Sequence, residues 1–171
     1  MRNVFWLREG VIAGRSGPNR DAWSPKELAG GRIGAVLSVN DGELVHSDDL
    51  CAIGINYSCI PLSDAAPPQP GDLQTCVDAL PKALRFVLSS IKTGRSVLVH
   101  CSSGKDRTGM FLTYYLCATE SLAPARAIEE VRRVRPVALS AEGWETFALD
   151  VLRELVPDQL EQGKDGRNAV A

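Results

Sequence analysis

Residues 96–109 read SVLVHCSSGKDRTG, and this pattern indicates both the fold class and the candidate chemistry. The β-branched run from Ser96 to His100 predicts a short buried strand. A glycine-containing loop follows, and the apolar segment 109–119 then predicts a buried helix. A strand, a loop and a helix in this order are typical of the carboxyl edge of a parallel sheet, where such folds bind their ligands.

The segments before this stretch alternate between strand and helix patterns. Residues 4–14 predict two short strands or a hairpin, and residues 33–39 predict a buried strand that ends at a turn over 40–42. Residues 53–60 are strand-like, and the Pro-rich segment 61–72 predicts a loop. Two short helices are expected between these strands, one opened by the capping box Ser24-Pro25-Lys26-Glu27 and ended by Gly30-Gly31, the other over 48–52 with Ser47 as its candidate cap.

Helix patterns surround the central stretch and dominate the last third of the chain. Asp72 is a good N-cap for a helix that ends at Gly94. Pro81 should kink or split this helix, because an interior proline costs about 3 kcal/mol. A further helix is predicted over 124–134, and Ser140 is the candidate cap of the last one.

This order of elements predicts an α/β fold with a mostly parallel central sheet flanked by helices. The 171 residues are 44% hydrophobic, which is enough for one sizeable core. We expect a single domain over residues 1–156, followed by a polar tail over 157–171 that is predicted to be disordered.

Charge and composition exclude several classes of partner. Lys and Arg number 19 against 21 Asp and Glu, so the net charge of −2 gives no basic surface for nucleic acid or an anionic membrane. The longest uncharged stretch, 50–63, is too short and too polar to span a bilayer, and the N-terminus lacks the apolar region of a signal peptide. We expect a cytoplasmic protein without a nucleic-acid partner or stable membrane insertion, and assume a monomer.

The five cysteines favour neither disulfides nor a metal. Their number is odd, no C-x-x-C pair occurs, and the chain has only two histidines, so neither a disulfide framework nor a zinc site is predicted. We therefore expect no metal and no cofactor. The default expectation for cysteines outside the central loop is a small buried hydrophobe, and it applies to Cys51, Cys59, Cys76 and Cys117.

Cys101 differs from these because of its position between strand and helix. There, free backbone N–H groups and the positive end of the helix dipole would stabilise a thiolate. The loop amides of residues 102–107 can cradle phosphate oxygens, and Gly104 allows a tight turn. Arg107 offers a planar fork for two phosphate oxygens, and Thr108 places a hydroxyl near the sulfur. The pattern predicts phosphoryl transfer to Cys101 and then to water.

These residues carry a clear resemblance to the cysteine-dependent protein tyrosine phosphatase superfamily, whose signature H-C-x5-R-[ST] is complete from His100 to Thr108. Over about residues 3–156 the chain looks like the small, single-domain dual-specificity phosphatases. The resemblance implies a metal-free, two-step hydrolysis of phosphotyrosine and of phosphoserine or phosphothreonine in proteins. It also implies that His100 hydrogen-bonds within the loop and helps to set the environment of the cysteine.

The resemblance further implies a general-acid aspartate on a loop upstream of the signature. Asp64, in the Pro-rich loop, is the best candidate, and it would protonate the leaving oxygen and then accept a proton from water. Asp72 is the runner-up, but its fit to a helix cap explains it. The predicted catalytic residues are Cys101, Arg107, Asp64, Thr108 and His100, and the predicted phosphate loop comprises Ser102, Ser103, Gly104, Lys105, Asp106 and Arg107.

Other charged residues near the signature allow two interpretations. Lys105 adds a cation at the rim, which suits a multiply phosphorylated headgroup, but a solvated Lys105-Asp106 pair is the favoured interpretation. The basic run Arg132, Arg133 and Arg135 is typical of a solvated helix face. Trp144 is expected in the core.

Three rival functions remain open at this point. A phosphoinositide phosphatase of the same mechanism would use Lys105. A pseudophosphatase would bind phosphoproteins without turnover, against which the intact Cys101, Arg107 and Asp64 argue. Rhodanese-like sulfur transfer also uses a cysteine loop after a strand, but the Arg-Thr-Gly ending fits phosphate better.

Overall fold

The structure is a computed structural model, and it describes residues 1–157 of the chain. The strands are β1 (Phe5–Arg8), β2 (Ile12–Ser16), β3 (Ile33–Ser38), β4 (Asn56–Cys59) and β5 (Ser96–Cys101). The helices are α1 (Pro25–Gly30), α2 (Ser47–Ala52), α3 (Asp72–Lys92), α4 (Asp106–Glu120), α5 (Pro124–Val134) and α6 (Trp144–Leu155), with a 3-10 turn over Gly42–Leu44. The predicted tail beyond residue 157 lies outside the described residues.

The sheet confirms the predicted α/β architecture. Its strand order is β1-β2-β5-β3-β4, with β2, β5, β3 and β4 paired in parallel and β1 antiparallel to β2. The hairpin predicted over 4–14 is thus confirmed. Because β5 lies between β2 and β3, the loop that follows it emerges at the middle of the carboxyl edge.

Alternating side chains on the strands separate two hydrophobic cores. On β5, Val97 and Val99 face the larger core, which α3 to α6 complete with residues such as Leu80, Phe111 and Trp144. Leu98 faces the smaller core, which contains apolar residues of α1 and α2. This alternation follows from the two-residue period of a strand, and it places Cys101 toward the larger core.

Three predicted helix caps are wrong, although the capping box of α1 is confirmed. The residues at the N-cap positions of α2, α3 and α6 are His46, Gly71 and Gly143, not Ser47, Asp72 and Ser140. Gly71 and Gly143 take left-handed conformations, with φ of 98° and 76°, so the chain enters both helices by a turn that favours glycine. The Asp72 carboxylate instead accepts a hydrogen bond from the Gln69 amide at 2.6 Å.

Pro81 does not split α3, which is continuous from Asp72 to Lys92. The helix buries Leu80, Ala83 and Val87 in the larger core on both sides of the proline-containing turn. A fully buried leucine or valine side chain contributes about 1.5–3 kcal/mol, so packing outweighs the cost of the proline. No helix within residues 1–157 is long and apolar enough to cross a bilayer.

The expectation of buried cysteines holds for two of the four. Burial raises the pKa of Cys76 to about 11 and that of Cys117 to about 12, since a thiolate is poorly solvated in the core. Cys51 and Cys59 are exposed, so the prediction is wrong for them. Cys59 lies on the edge strand β4, and Cys51 lies on the short helix α2, whose buried residue is Leu50.

Candidate active site

The candidate nucleophile lies at the end of the central strand, directly before the loop. Cys101 is the last residue of β5, and its side chain is buried. Thr108, in the first turn of α4, donates a hydrogen bond from Oγ1 to Cys101 Sγ at 3.2 Å. Helix α4 begins at Asp106, earlier than the sequence predicts. The structure therefore brings two of the predicted catalytic residues into contact beside the N-terminus of a helix.

The loop after Cys101 turns its carbonyl groups outward. The carbonyl oxygen of Ser102 accepts a hydrogen bond from Gly17 N at 2.9 Å. Arg135 donates from Nη2 to the carbonyl of Ser103 at 2.9 Å and from Nε to that of Gly104 at 3.1 Å. In a trans peptide unit the N–H points opposite to the C=O, so the amides of residues 103–105 face away from these donors. Amides that are turned to one side of a loop in this way are what an anion-binding nest requires.

Close packing against the end of β2 fixes the shape of this loop. Gly104 has a left-handed φ of +60°, and a Cβ there would lie 2.4 Å from the main-chain carbon and oxygen of Arg15. Only glycine therefore fits this position. The Asn19 side chain adds a further contact by donating from Nδ2 to Ser102 Oγ at 2.8 Å.

Arg107 joins the phosphate loop to the Pro-rich loop. Its Nε and Nη2 donate to the main-chain carbonyls of Ser63, Asp64 and Ala65, the last at 3.2 Å. The guanidinium carbon lies 4.9 Å from the ring centroid of Trp144, which is fully buried as predicted. The arginine thus holds the segment that carries the candidate acid next to the segment that carries the candidate nucleophile.

The candidate acid Asp64 is exposed at the carboxyl edge of the sheet. Its Oδ1 accepts a hydrogen bond from Nδ2 of Asn40, a residue two positions beyond the end of β3. Its main-chain carbonyl is held by Arg107. Asp64 is therefore fixed through both its side chain and its backbone, whereas the runner-up Asp72 lies in the first turn of α3 with its carboxylate bound to the Gln69 amide.

Lys105 and Asp106 form the ion pair that the sequence favours, but the pair is largely withdrawn from solvent. Asp106 is buried, and its Oδ1 accepts a hydrogen bond from the Ala141 amide at 3.1 Å, which ties the start of α4 to the loop before α6. Lys105 is half-buried, with Nζ 3.8 Å from Asp106 Oδ2. Within residues 1–157, no three His, Cys, Asp or Glu side chains are grouped so that they could hold a metal ion.

His100 lies on the opposite face of β5 from Cys101 and is fully buried. Its Nε2 is 2.6 Å from Ser38 Oγ, and its ring packs edge-on against Trp23 with centroids 4.9 Å apart. Burial lowers the pKa of His100 from 6.5 to about 4, and the nearby Arg15 guanidinium acts in the same direction. The imidazole is therefore neutral at physiological pH.

Arg135 is a site residue that the sequence analysis assigned to a solvated helix face, and this assignment is wrong. It follows α5 and holds two loop carbonyls from a position 31 residues away, with its guanidinium 5.4 Å from the Phe5 ring centroid. Its neighbours Arg132 and Arg133 form surface ion pairs with Glu145 and Glu130. Asn19 and Asn40 were also missed, because an isolated asparagine in a turn carries no signal of a partner distant in sequence.

Comparison with known proteins agrees with this geometry. The family model of the dual specificity phosphatase catalytic domain matches residues 18–146. Dual specificity protein phosphatase 12 of Rattus norvegicus is 33% identical over 66 residues, which make up 39% of this chain and 20% of the relative. Phosphatidylglycerophosphate phosphatase PTPMT1 of Arabidopsis thaliana is 30% identical over 69 residues, 40% of this chain and 20% of the relative. The match thus spans about a fifth of the length of these two curated relatives.

A solved structure shows the same fold. The crystal structure of PTPMT1 in complex with PI(5)P superposes with a TM-score of 0.71 at 18% identity, covering 91% of this chain and 96% of that chain. The family model covers more than half of the chain. The chain therefore belongs to the dual specificity phosphatase catalytic-domain family.

Proposed function

We propose that this chain hydrolyses phosphomonoesters in proteins, on phosphotyrosine and on phosphoserine or phosphothreonine, through a phosphocysteine intermediate. The observation that carries the proposal is the hydrogen bond from Thr108 Oγ1 to the buried Cys101 Sγ, at the point where β5 leads into a loop with outward carbonyls. This sulfur has a hydroxyl donor, and the chain after it leads into the N-terminus of α4, which carries Arg107. These groups suit a thiolate that attacks a phosphate.

In the first step, Cys101 Sγ forms a bond to phosphorus while the bond to the leaving oxygen breaks. The carboxyl proton of Asp64 passes to that oxygen, so an alcohol or phenol departs rather than an alkoxide. The loop amides and Arg107 bind the phosphoryl oxygens and favour the transition state over the ground state. Two N–H groups of Arg107, those on Nη1, have no hydrogen-bond acceptor within residues 1–157 and are the ones we assign to phosphate.

In the second step, water attacks the phosphocysteine. The Asp64 carboxylate accepts a proton from this water, the sulfur–phosphorus bond breaks, and inorganic phosphate leaves. Thr108 Oγ1, already bonded to Sγ, stabilises the departing thiolate. The step regenerates the starting enzyme and needs no metal or cofactor.

A phosphoinositide phosphatase of the same mechanism is the second candidate. Lys105 supports it, because this half-buried cation stands at the N-terminus of α4 beside the loop and could meet a second phosphate of a headgroup. One relative is named a phosphatidylglycerophosphate phosphatase, and one structural neighbour was solved with PI(5)P. The net charge of −2 favours the protein substrate, because binding to a headgroup in an anionic membrane calls for a basic surface.

The test compares wild type, Cys101→Ser and the matched control Cys51→Ser, an exposed cysteine on α2. We expect wild type and Cys51→Ser to hydrolyse an aryl phosphate and Cys101→Ser to be inactive. A wild type that binds phosphopeptides without releasing phosphate would refute the enzymatic proposal and leave a pseudophosphatase.

Substrate class is tested with phosphopeptides, soluble phosphoinositides and nucleotides at equal concentration. We expect the highest kcat/KM for phosphopeptides, and a higher value for the phosphoinositides would favour the second candidate. The proposal includes a single catalytic domain over residues 1–156, acting as a cytoplasmic monomer.

A further inference from the structure

The main chain of the loop that carries Asp64 is held in place from two directions. Arg107 binds three successive carbonyls of residues 63–65 on one side. On the other side, the Leu62 amide donates to Val39 O at 3.0 Å, which continues the alignment of the β4 segment with the end of β3. Within the loop, the Ala65 amide donates to Ser63 Oγ at 3.2 Å, and Ser63 is buried. The backbone position of residue 64 is therefore well defined.

The side chain of Asp64 has far fewer restraints. It is exposed, and its torsions would be free to rotate if only the backbone were held. Within residues 1–157, the hydrogen-bond donor to its carboxylate is Nδ2 of Asn40. Asn40 itself is buried, at 8% exposure, so its amide is a stable support rather than a mobile surface group.

The backbone does not require asparagine at position 40. In the turn after β3 the left-handed residue is Asp41, with φ of 54°, and Asn40 is not among the residues with positive φ. An asparagine that served only the turn would be expected at the left-handed position. The buried amide is thus explained by its contact with Asp64.

We infer that Asn40 is a positioning residue for proton transfer, an inference that rests on the proposed function of Asp64 as the acid. The amide N–H of Asn40 binds Oδ1, so the transferable proton resides on Oδ2, in one orientation relative to the phosphate loop. When Oδ2–H gives its proton to the leaving oxygen, the same N–H stabilises the carboxylate that remains for the second step. Asn40 does not touch the substrate or the phosphoryl group.

The experiment measures kcat/KM for a series of aryl phosphates with leaving groups of increasing pKa. We expect Asn40→Ala to lower kcat/KM about tenfold for the poorest leaving group, as for the loss of one charge-assisted hydrogen bond, and less than twofold for the best. Asn40→Asp, which keeps the size of the side chain but removes the N–H donor, is expected to show the same dependence. The inhibition constant of inorganic phosphate should stay unchanged in both variants, because the phosphate loop is intact.

A matched control and a double variant separate positioning from general damage. Asn56→Ala removes an exposed asparagine on the edge strand β4, and its kcat/KM should match that of wild type for every leaving group. In the Asp64→Ala background, Asn40→Ala should have no further effect, since the group that it positions is gone.

Two results overturn the inference. One is a loss of kcat/KM in Asn40→Asp that is equal for good and poor leaving groups. The other is a further full loss of kcat/KM when Asn40→Ala is added to Asp64→Ala. A failure of the proposed function would give a different result. The loss of kcat/KM in Asp64→Ala would then be the same for all leaving groups, so Asp64 would not be the acid and Asn40 would have no acid to position.

Discussion

Arg135→Ala should weaken anion binding although Arg135 reaches the loop only from outside. In the structure its guanidinium donates to the carbonyls of Ser103 and Gly104 at 2.9 and 3.1 Å and lies against the Phe5 ring. These contacts turn the carbonyls outward and the following amides toward the opposite side of the loop. Without the arginine, the two carbonyl groups lose their donors and the loop can relax into conformations whose amides no longer point to one side.

The size of the effect follows from the two hydrogen bonds. Hydrogen bonds to a charged group contribute about 1.5–3 kcal/mol each, and the half-buried position of Arg135 places them at the lower end. The sum of about 3 kcal/mol sets an upper limit of roughly 150-fold on the loss of affinity for an oxyanion. Because Gly17 and Asn19 still bind Ser102 in the variant, part of the loop keeps its shape, and we expect the affinity for an oxyanion to fall about tenfold.

The assay is vanadate or phosphate inhibition of aryl phosphate hydrolysis, together with urea unfolding. The lysine of Arg135→Lys can bind only one of the two carbonyls at a time, so the inhibition constant of this variant should lie between those of wild type and Arg135→Ala. Arg133→Ala is the matched control, because it removes an exposed ion pair with Glu130 that contributes at most about 1 kcal/mol. An unchanged inhibition constant in a folded Arg135→Ala protein, or an equal loss of affinity in Arg133→Ala, would show that Arg135 does not support the anion-binding loop.

Three other predictions concern the loop and its strand. Gly104→Ala should abolish phosphate inhibition in a folded protein, because its Cβ would overlap the Arg15 main chain, and retained inhibition would contradict the described loop shape. Thr108→Val should slow breakdown of the phosphoenzyme, so rapid-quench kinetics should show more phosphocysteine than in wild type; an unchanged amount would remove the assigned role. His100 has its pKa lowered from 6.5 in the unfolded chain to about 4 by burial, so the unfolded state binds the proton first and stability falls as pH drops from about 6.5 to 4. Between pH 7 and pH 5 the free energy of unfolding, measured with urea, should fall by about 2 kcal/mol because of His100, and His100→Asn should lose that part of the pH dependence. An identical pH dependence in wild type and His100→Asn would contradict this role of His100.

Local sequence signals were sufficient for the elements and for the signature loop. The apolar run that ends at His100, the glycine in the loop and the apolar helix after it lie within about 25 residues, and each pattern reflects a local requirement of backbone geometry or burial. The same holds for the capping box at Ser24, where both partners are three residues apart. The predicted caps at Asp72 and Ser140 failed because a nearby glycine in the left-handed conformation supplied a different entry to each helix.

Sequence patterns alone were enough to predict the strand-loop-helix unit, the cysteine and arginine within it, and a fold with a mostly parallel sheet. The contacts that support this unit became evident only in the folded chain. They are those of Arg135 with the loop carbonyls, of Asn40 with Asp64, and of Arg107 with residues 63–65, and they join partners 24 to 44 residues apart. The physical reason is the strand order. By placing β5 between β2 and β3, the sheet brings the ends of distant segments to one edge, and hydrogen bonds between them leave no periodic trace in the sequence.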